Sequence, residues 1–242
     1  MDKVSQAYWD NSYSGYRYSI ANDEVTKWLD KCIHDKKGTA FEAGCYPGRY
    51  LAYLGKKGWQ VSGMDLTPRM ESDFKEWLLK NDITFGKIEK GDVLEYMKAG
   101  NDKYDLVCSF GFIEHFENFT EIIALHDRIL TPNGKLIITT PHFRGAVQRF
   151  LHSWLDKENL NRHYIPSMNP SLWKKQLESM GYTVIWSGYF GNFDFWADRQ
   201  KRNLFNKISL KIIYKLTSLL RWLPDSRLYS PYCGIVAEKK QS

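Results

Sequence analysis

The chain has 242 residues, 43% of them hydrophobic and 26% charged, which is ordinary for a soluble globular protein and enough for one large domain with a sizeable core. Its net charge of +6 allows an acidic partner (nucleic acid, an anionic membrane surface, a phosphorylated substrate) without demanding one. Four scattered cysteines, Cys32, Cys45, Cys108 and Cys233, make no CxxC pair, which argues against a zinc site or a disulfide framework and fits a reducing cytoplasm.

The opening MDKVSQAYWDNSYS is polar and has no signal-type apolar segment. No uncharged run reaches the roughly 18 residues a membrane span needs. Tyr8, Trp9, Tyr13, Tyr16 and Tyr18 form an aromatic cluster there. TAFEA (39–43) reads as a strand, followed by a Gly-rich turn and the helical RYLAYLGKKG. WQVSGM (59–64) is a second strand. In TPRMESDFKEWLLKN, Thr67 is placed to cap a helix with Pro68 at its first position. ITFGKIEKGDV (83–93) is a weaker strand. YDLVCSF (104–110) and KLIITTP (135–141) are compact apolar strands, separated by a helix over NFTEIIALHDRIL and a turn at TPNG. This alternation predicts a mostly parallel α/β sheet with helices on both faces. From residue 142 the pattern becomes irregular and rich in aromatics and His. SLWKKQLESMG then predicts a helix, and YTVIWSGYF (182–190) and YCGIVAEKK (232–240) predict two late strands around a basic, helix-patterned insert at 200–223.

The turn AFEAGCYPGR raises the functional question. Ligands of open α/β sheets sit at the carboxyl ends of the strands, where strand order reverses, and glycines there let the backbone approach a ligand. No GxxxxGK[ST] is present, and Tyr46 and Arg49 stand where GxGxxG needs glycine, so ATP and NAD are poor fits. An acid ending one strand, a Gly turn, then an acid ending the next strand fits better. Glu42 and Asp65 are those acids, and Asp65 lies about 20 residues beyond Gly44, the spacing at which a carboxylate meets ribose hydroxyls.

On these residues the chain resembles the class I S-adenosylmethionine-dependent methyltransferases, in particular the small-molecule group with the motif E-x-G-C-G-x-G. The matching stretch is Glu42-Ala43-Gly44-Cys45-Tyr46-Pro47-Gly48. Further matches are Gly63-Met64-Asp65-Leu66, Gly91-Asp92-Val93, Tyr104 to Ser109 with Ile113-Glu114-His115, and Leu130-Thr131-Pro132-Asn133-Gly134 with the strand after it. The resemblance covers 38–141 well and the late strands loosely. It implies a Rossmann-like seven-stranded sheet, mostly parallel with one late antiparallel strand, in one domain over 1–242. Within it, 38–141 would be the cofactor-binding core, and 142–181 and 191–231 would be acceptor-side or lid elaborations. It also implies S-adenosyl-L-methionine as cofactor, bound by Glu42, Gly44, Cys45, Tyr46, Gly48, Asp65, Leu66, Asp92, Val93 and Ser109. The N-terminal aromatic cluster would close over the cofactor, or pack on the sheet edge. Tyr46 departs from the family's glycine. Its φ is expected to stay negative, with the ring leaving the turn to cover the sulfonium or acceptor pocket.

A methyl transfer of this kind is an in-line displacement in which the protein mainly positions the reactants and excludes water. A base is needed only for an acceptor of high pKa. His115 is the first candidate and His142 the second. His163, in NRHYIP, is a third; the alternative is a structural histidine for His115, a surface loop residue for His142 and a loop residue for His163. Glu114-His115 is also similar to the metal-binding E-x-x-E-H segment of ubiquinone-biosynthesis O-methyltransferases. Gly111 stands in place of the first Glu, so no metal is expected. In the insert, Lys207, Lys211 and Lys215 share one helical face beside Ile208, Ile212, Leu216 and Leu219. That suits a helix lying on an anionic membrane through 201–223, or an ordinary helix packed on its own domain. The acceptor is expected to be a small molecule, with O-methylation of a sugar, glycolipid or other metabolite favoured. SGYFGNFDFW and LYSPYCGIVAEKK look similar to methyltransferases found with bacterial surface-polysaccharide genes. The alternatives are a catalytically silent module of the same fold and an RNA methyltransferase, the latter disfavoured by the lack of an added RNA-binding module.

Overall fold

The computed structural model describes residues 5–33, 37–198 and 200–240. Helices α1 (Gln6–Ser12) and α2 (Glu24–Cys32) precede strand β1 (Thr39–Ala43). Asp23 starts α2: its carboxylate accepts the N–H groups of Val25 and Thr26, and the Thr26 hydroxyl accepts the Asp23 N–H, which satisfies donors a helix start leaves open. The alternating region then gives α3 (Arg49–Lys56), β2 (Gln60–Asp65), α4 (Asp73–Lys80), β3 (Phe85–Lys90), α5 (Val93–Ala99), β4 (Tyr104–Phe110), α6 (Phe119–Arg128) and β5 (Leu130–Pro141). The last part holds α7 (Ala146–Leu155), α8 (Lys157–Asn161), α9 (Pro170–Ser179), β6 (Tyr182–Phe190), α10 (Leu204–Leu220) and β7 (Tyr232–Lys239).

The seven strands form one sheet in the order β3-β2-β1-β4-β5-β7-β6. The first five pair in parallel, and β7 lies antiparallel between β5 and β6. This is the expected seven-stranded, mostly parallel sheet. Successive strands move outward one way from β1 to β3 and the other way from β4, so strand order reverses between β1 and β4. Apolar side chains fill both faces. Val25, Trp28, Leu51, Leu54, Phe74 and Leu78, from α2, α3 and α4, cover one face. Met97, Ile122, Ile123, Trp173 and Leu177, from α5, α6 and α9, cover the other. The central strands are therefore apolar on both sides, which is why they read as continuous runs in the sequence.

Several details differ from the sequence expectation. The stretch after Thr67 is first a short 3₁₀ turn, Pro68–Glu71, and α4 starts only at Asp73; Thr67 makes no side-chain cap. TPNG is not a free turn but an irregularity inside β5: pairing with β4 jumps from Tyr104↔Leu130 to Leu106↔Lys135, and Asn133 takes φ 60°. The irregular region after residue 142 contains α7 and α8. The inward face of α7 includes Gln148 and His152 beside Leu151 and Leu155, so an apolar periodicity does not reveal it.

Candidate active site

The turn between β1 and α3 lies at the point of strand reversal. Gly44 and Gly48 both take left-handed backbone angles, φ 63° and 77°. A Cβ at Gly44 would collide with the Phe112 ring and one at Gly48 with the Phe74 ring, so neither position admits another residue. Tyr46 is not among the positive-φ residues, as expected. Its ring is buried among the N-terminal aromatic residues and α4. It packs edge-on against Tyr13, Tyr18 and Phe74 at 5.3–6.1 Å between centroids, with the Arg69 guanidinium 5.7 Å from its ring centre. Its backbone N–H donates to Asp65 Oδ2 at 3.2 Å.

Asp65 ends β2. Its Oδ1 accepts the Thr67 N–H at 3.1 Å. Burial pushes its carboxyl up to about 6, against the pull of the Thr67 and Tyr46 N–H groups. At neutral pH it is mostly ionised, and each oxygen keeps a further lone pair for a ligand hydroxyl. Leu66 beside it is exposed and offers an apolar surface. Glu42 is buried one strand away. The Leu51 N–H donates to it, Oε2 has no hydrogen-bond partner among the described residues, and burial together with Asp65 holds its carboxyl well above the usual range. It ties β1 to the first turn of α3.

Other predicted cofactor residues face elsewhere. The Cys45 thiol points inward to Met70 Sδ at 3.9 Å. Ser109 is fully buried, and its hydroxyl meets His126 Nε2 at 3.1 Å, on the side of β4 that packs against α6. Val93 belongs to the core. Asp92 caps α5 through Oδ1, which accepts from Leu94 and Glu95. Of these four only Asp92 is exposed toward the strand ends; Cys45, Val93 and Ser109 could offer a ligand no more than backbone.

The acceptor side begins just after β4. Glu114 is 1% exposed, and neither carboxylate oxygen has a hydrogen-bond partner among the described residues. Burial pushes its carboxyl up to about 8. His115 and His163 come from separate segments and their tilted rings lie with centroids 4.8 Å apart. His115 Nδ1 meets Arg162 O at 3.2 Å and His163 Nδ1 meets Asn159 O at 2.6 Å. A carbonyl accepts only from N–H, so both lone pairs lie on Nε2. Burial lowers His115 to about 4 and His163 to about 3, so both rings are neutral at neutral pH. Glu114, His115 and His163 each bring one donor atom within 4.8 Å of the others. A carboxylate and two neutral imidazoles, with orphaned oxygens and with Nδ1 already held by carbonyls, fit a divalent cation. The E-x-x-E-H comparison does not reveal this set, because its third member arrives from the 3₁₀-rich segment after α8. His142 does not join the group. It is buried at the end of β5, with Nε2 at 3.0 Å from Arg227 O and its ring 4.3 Å from Tyr189.

The N-terminal segment spans both halves. Trp9 of α1 lies edge-on to His115 at 5.1 Å, and Tyr13, one residue beyond α1, lies against Tyr46. Arg69 fixes it by donating to Tyr13 O at 3.0 Å and Tyr16 O at 3.2 Å while paired with Asp73. Nothing in the local sequence marks Arg69 for this task.

A family model described as "Methyltransferase domain" matches residues 13–186. Among curated proteins, a ubiquinone biosynthesis O-methyltransferase of Rickettsia typhi is 26% identical over 184 residues, covering 70% of this chain and 72% of that protein. One of Dechloromonas aromatica is 22% identical over 140 residues, covering 57% of this chain and 59% of that protein, so the first relative is matched over little more than half its length. The solved structure of a SAM-dependent methyltransferase from Archaeoglobus fulgidus superposes with TM-score 0.58 at 19% identity, over 96% of this chain and 99% of that one. The magnesium protoporphyrin IX methyltransferase of Synechocystis PCC 6803, with bound SAH, gives 0.56 at 16% identity, over 97% and 95%.

Proposed function

The chain belongs to the methyltransferase-domain family, and from that premise we propose that it transfers a methyl group from S-adenosylmethionine to a hydroxyl of a small acceptor. The observation that carries this reading is the pair of differently prepared acids at the ends of β2 and β4, the two strands that flank β1. Asp65 is ionised at the Gly44–Gly48 turn, and Glu114 is buried without partners beside two neutral imidazoles. The O-methyltransferase names of the two curated relatives support oxygen as the acceptor atom.

The cofactor, when bound, supplies an electrophilic methyl carbon on a sulfonium. Asp65 accepts the ribose hydroxyls, and Leu66 gives an apolar surface beside them. The glycines of the turn give it the left-handed backbone and the close packing on Phe112 and Phe74 that hold it at the end of β1. Trp9 and Tyr13 close the site and exclude water, which favours a displacement that needs only alignment. The acceptor oxygen would have to lose its proton, and with no cation bound the free lone pair of neutral His115 Nε2 would be placed to take it. A divalent cation held by Glu114, His115 and His163 would take that Nε2 lone pair, so His115 would then be a ligand and not a base, and the cation would supply Lewis acidity to the acceptor oxygen. The acceptor class that suits this wall of aromatic rings is a hydroxyl on an apolar or planar body, and a sugar or glycolipid hydroxyl is the second choice.

Calorimetric titration of S-adenosylmethionine and its demethylated product into the purified protein tests the cofactor half. A panel of phenols and sugars with labelled cofactor, with and without magnesium, tests the acceptor half. Micromolar cofactor binding and oxygen methylation of one acceptor class are expected. Binding without turnover on the whole panel would replace the enzyme reading with a silent binding module.

A further inference from the structure

Helix α10 turns the wrong face outward for a packed helix. Leu210 and Thr217 are buried, and Leu210, with Ile213 alongside, packs on Leu151, Leu155 and Phe195. The stripe Ile208, Ile212, Leu216 and Leu219 is 49%, 55%, 46% and 63% exposed. At about 100° per residue these four fall on the side away from Leu210 and Thr217. Lys207, Lys211 and Lys215 occupy the sector between the two faces and are all exposed. Between residues 200 and 224 the chain has six basic residues and no acid. Aromatic rings widen the apolar face. Exposed Phe150 and Trp154 of α7 lie 6.0 Å apart, Trp154 lies 6.0 Å from Phe205, and Trp222 just past α10 is 76% exposed.

A helix solvated on this face would not carry four large aliphatics on it, and a helix packed by it would bury them. Among the described residues no helix is long and apolar enough to cross a membrane. The remaining use of such a face is to lie in an interface, apolar side down and cations at headgroup level. We propose that α10 docks flat on an anionic lipid surface, with Ile208, Ile212, Leu216 and Leu219 at the acyl boundary and the three lysines on headgroup phosphates. Charge complementarity selects this occupant. A second copy of the chain would bring the same lysine row and no acid from 200–224 to meet it, whereas an anionic leaflet meets it directly. The seventeen-residue helix lays about 25 Å of contact on the surface. The docking stands independently of the acceptor.

Centrifugation with vesicles of phosphatidylcholine alone, or of phosphatidylcholine with phosphatidylglycerol, tests it. The native protein should pellet with the anionic vesicles, less so as salt rises. Reversing the lysines (K207E, K211E, K215E) should weaken partitioning roughly tenfold or more, and so should I212D with L216D. All these side chains face solvent, so far-UV dichroism and cofactor binding should stay native. Native protein left in the supernatant, or pelleting that ignores the lysine reversal, overturns the proposal. A dimer in light scattering that I212D dissolves, with vesicles ignored, would assign the face to a second copy instead.

Discussion

Two parts of this molecule bury acids, and they do so in opposite ways. Asp156, between α7 and α8, is fully buried but surrounded by donors: Asn159, the Asp198 N–H, Gln200 and Arg202 donate to it, and His152 Nδ1 lies 3.2 Å away. Burial works to raise its carboxyl, and His152, Asn159 and the Asp198 N–H outweigh that, so it lies below the usual range. At the strand ends, Glu42 and Glu114 have orphaned oxygens and Asp65 has only backbone donors; all three are pushed up. A buried acid with a full set of donors holds structure. A buried acid without one costs stability and is kept where something else completes it.

The largest effect should come from breaking the satisfied network. Asp156→Ala leaves Arg202 and Asn159 without their partner, and removing one side of a buried charge pair costs about 3–5 kcal/mol. The variant should lose that much in denaturant unfolding and loosen α7, α8 and the contacts of Asp198, Gln200 and Arg202. Cofactor binding at low temperature should persist, because the β1–α3 turn makes none of these contacts. Loss of both together would erase the distinction between the two parts.

Asp65→Ala should do the reverse. Removing a carboxylate that accepts two ligand hydroxyls costs roughly 1.5–3 kcal/mol, or about ten- to 150-fold in cofactor affinity. Stability should change little, since the loss of an ionised, partly buried acid offsets the loss of the acceptor for the Tyr46 and Thr67 N–H donors. Calorimetry beside thermal unfolding separates the two quantities.

The pH dependences should also run in opposite directions. Asp156 is depressed in the folded state, so its contribution is present above the ordinary aspartate value near 4 and is lost as pH falls through its lower folded value. Asp65 is raised to about 6, so folding stability falls as pH rises from about 4 to 6. Its ligand-accepting form is the ionised one. Cofactor affinity should therefore be flat above pH 7 and weaken by up to about tenfold per unit below pH 6. An affinity that stays level down to pH 5 would mean that Asp65 does not meet the ribose.

The same division explains what was legible in the sequence. TAFEA, YDLVCSF and YTVIWSGYF are apolar runs bounded by turn residues, and β1, β4 and β6 coincide with them. The turn residues Gly44 and Gly48 and the acid Asp65 announce themselves by type and spacing. α7 was hidden because it buries Gln148 and His152, which only the later Asp194 and Tyr229 carbonyls and Asp156 satisfy. α2 was hidden because its signal is the cap pair Asp23 and Thr26, with little apolar run behind it. The Glu114–His115–His163 set was hidden because it is assembled by tertiary folding. Ser109 looked like a strand-end ligand, but the pleat turns its hydroxyl to His126. The lysine and isoleucine rows of 204–220 were visible, but only packing shows which row faces solvent.

The smallest expected effect concerns Tyr46, the residue that breaks the glycine pattern. Its hydroxyl has a long 3.4 Å contact with the Tyr18 hydroxyl, while its ring is clamped by Tyr13, Phe74 and Arg69. Tyr46→Phe keeps the ring and the backbone N–H that meets Asp65. It should cost no more than about 0.5–1 kcal/mol, the scale of one partly exposed hydrogen bond, and leave cofactor affinity within about twofold. If the hydroxyl instead reached the ligand, affinity would fall about tenfold with stability unchanged. The ring's place in the cage argues for the first outcome. What the turn needs at this position is an N–H at negative φ, and a tyrosine supplies it as well as a glycine while adding an anchor for the N-terminal cover.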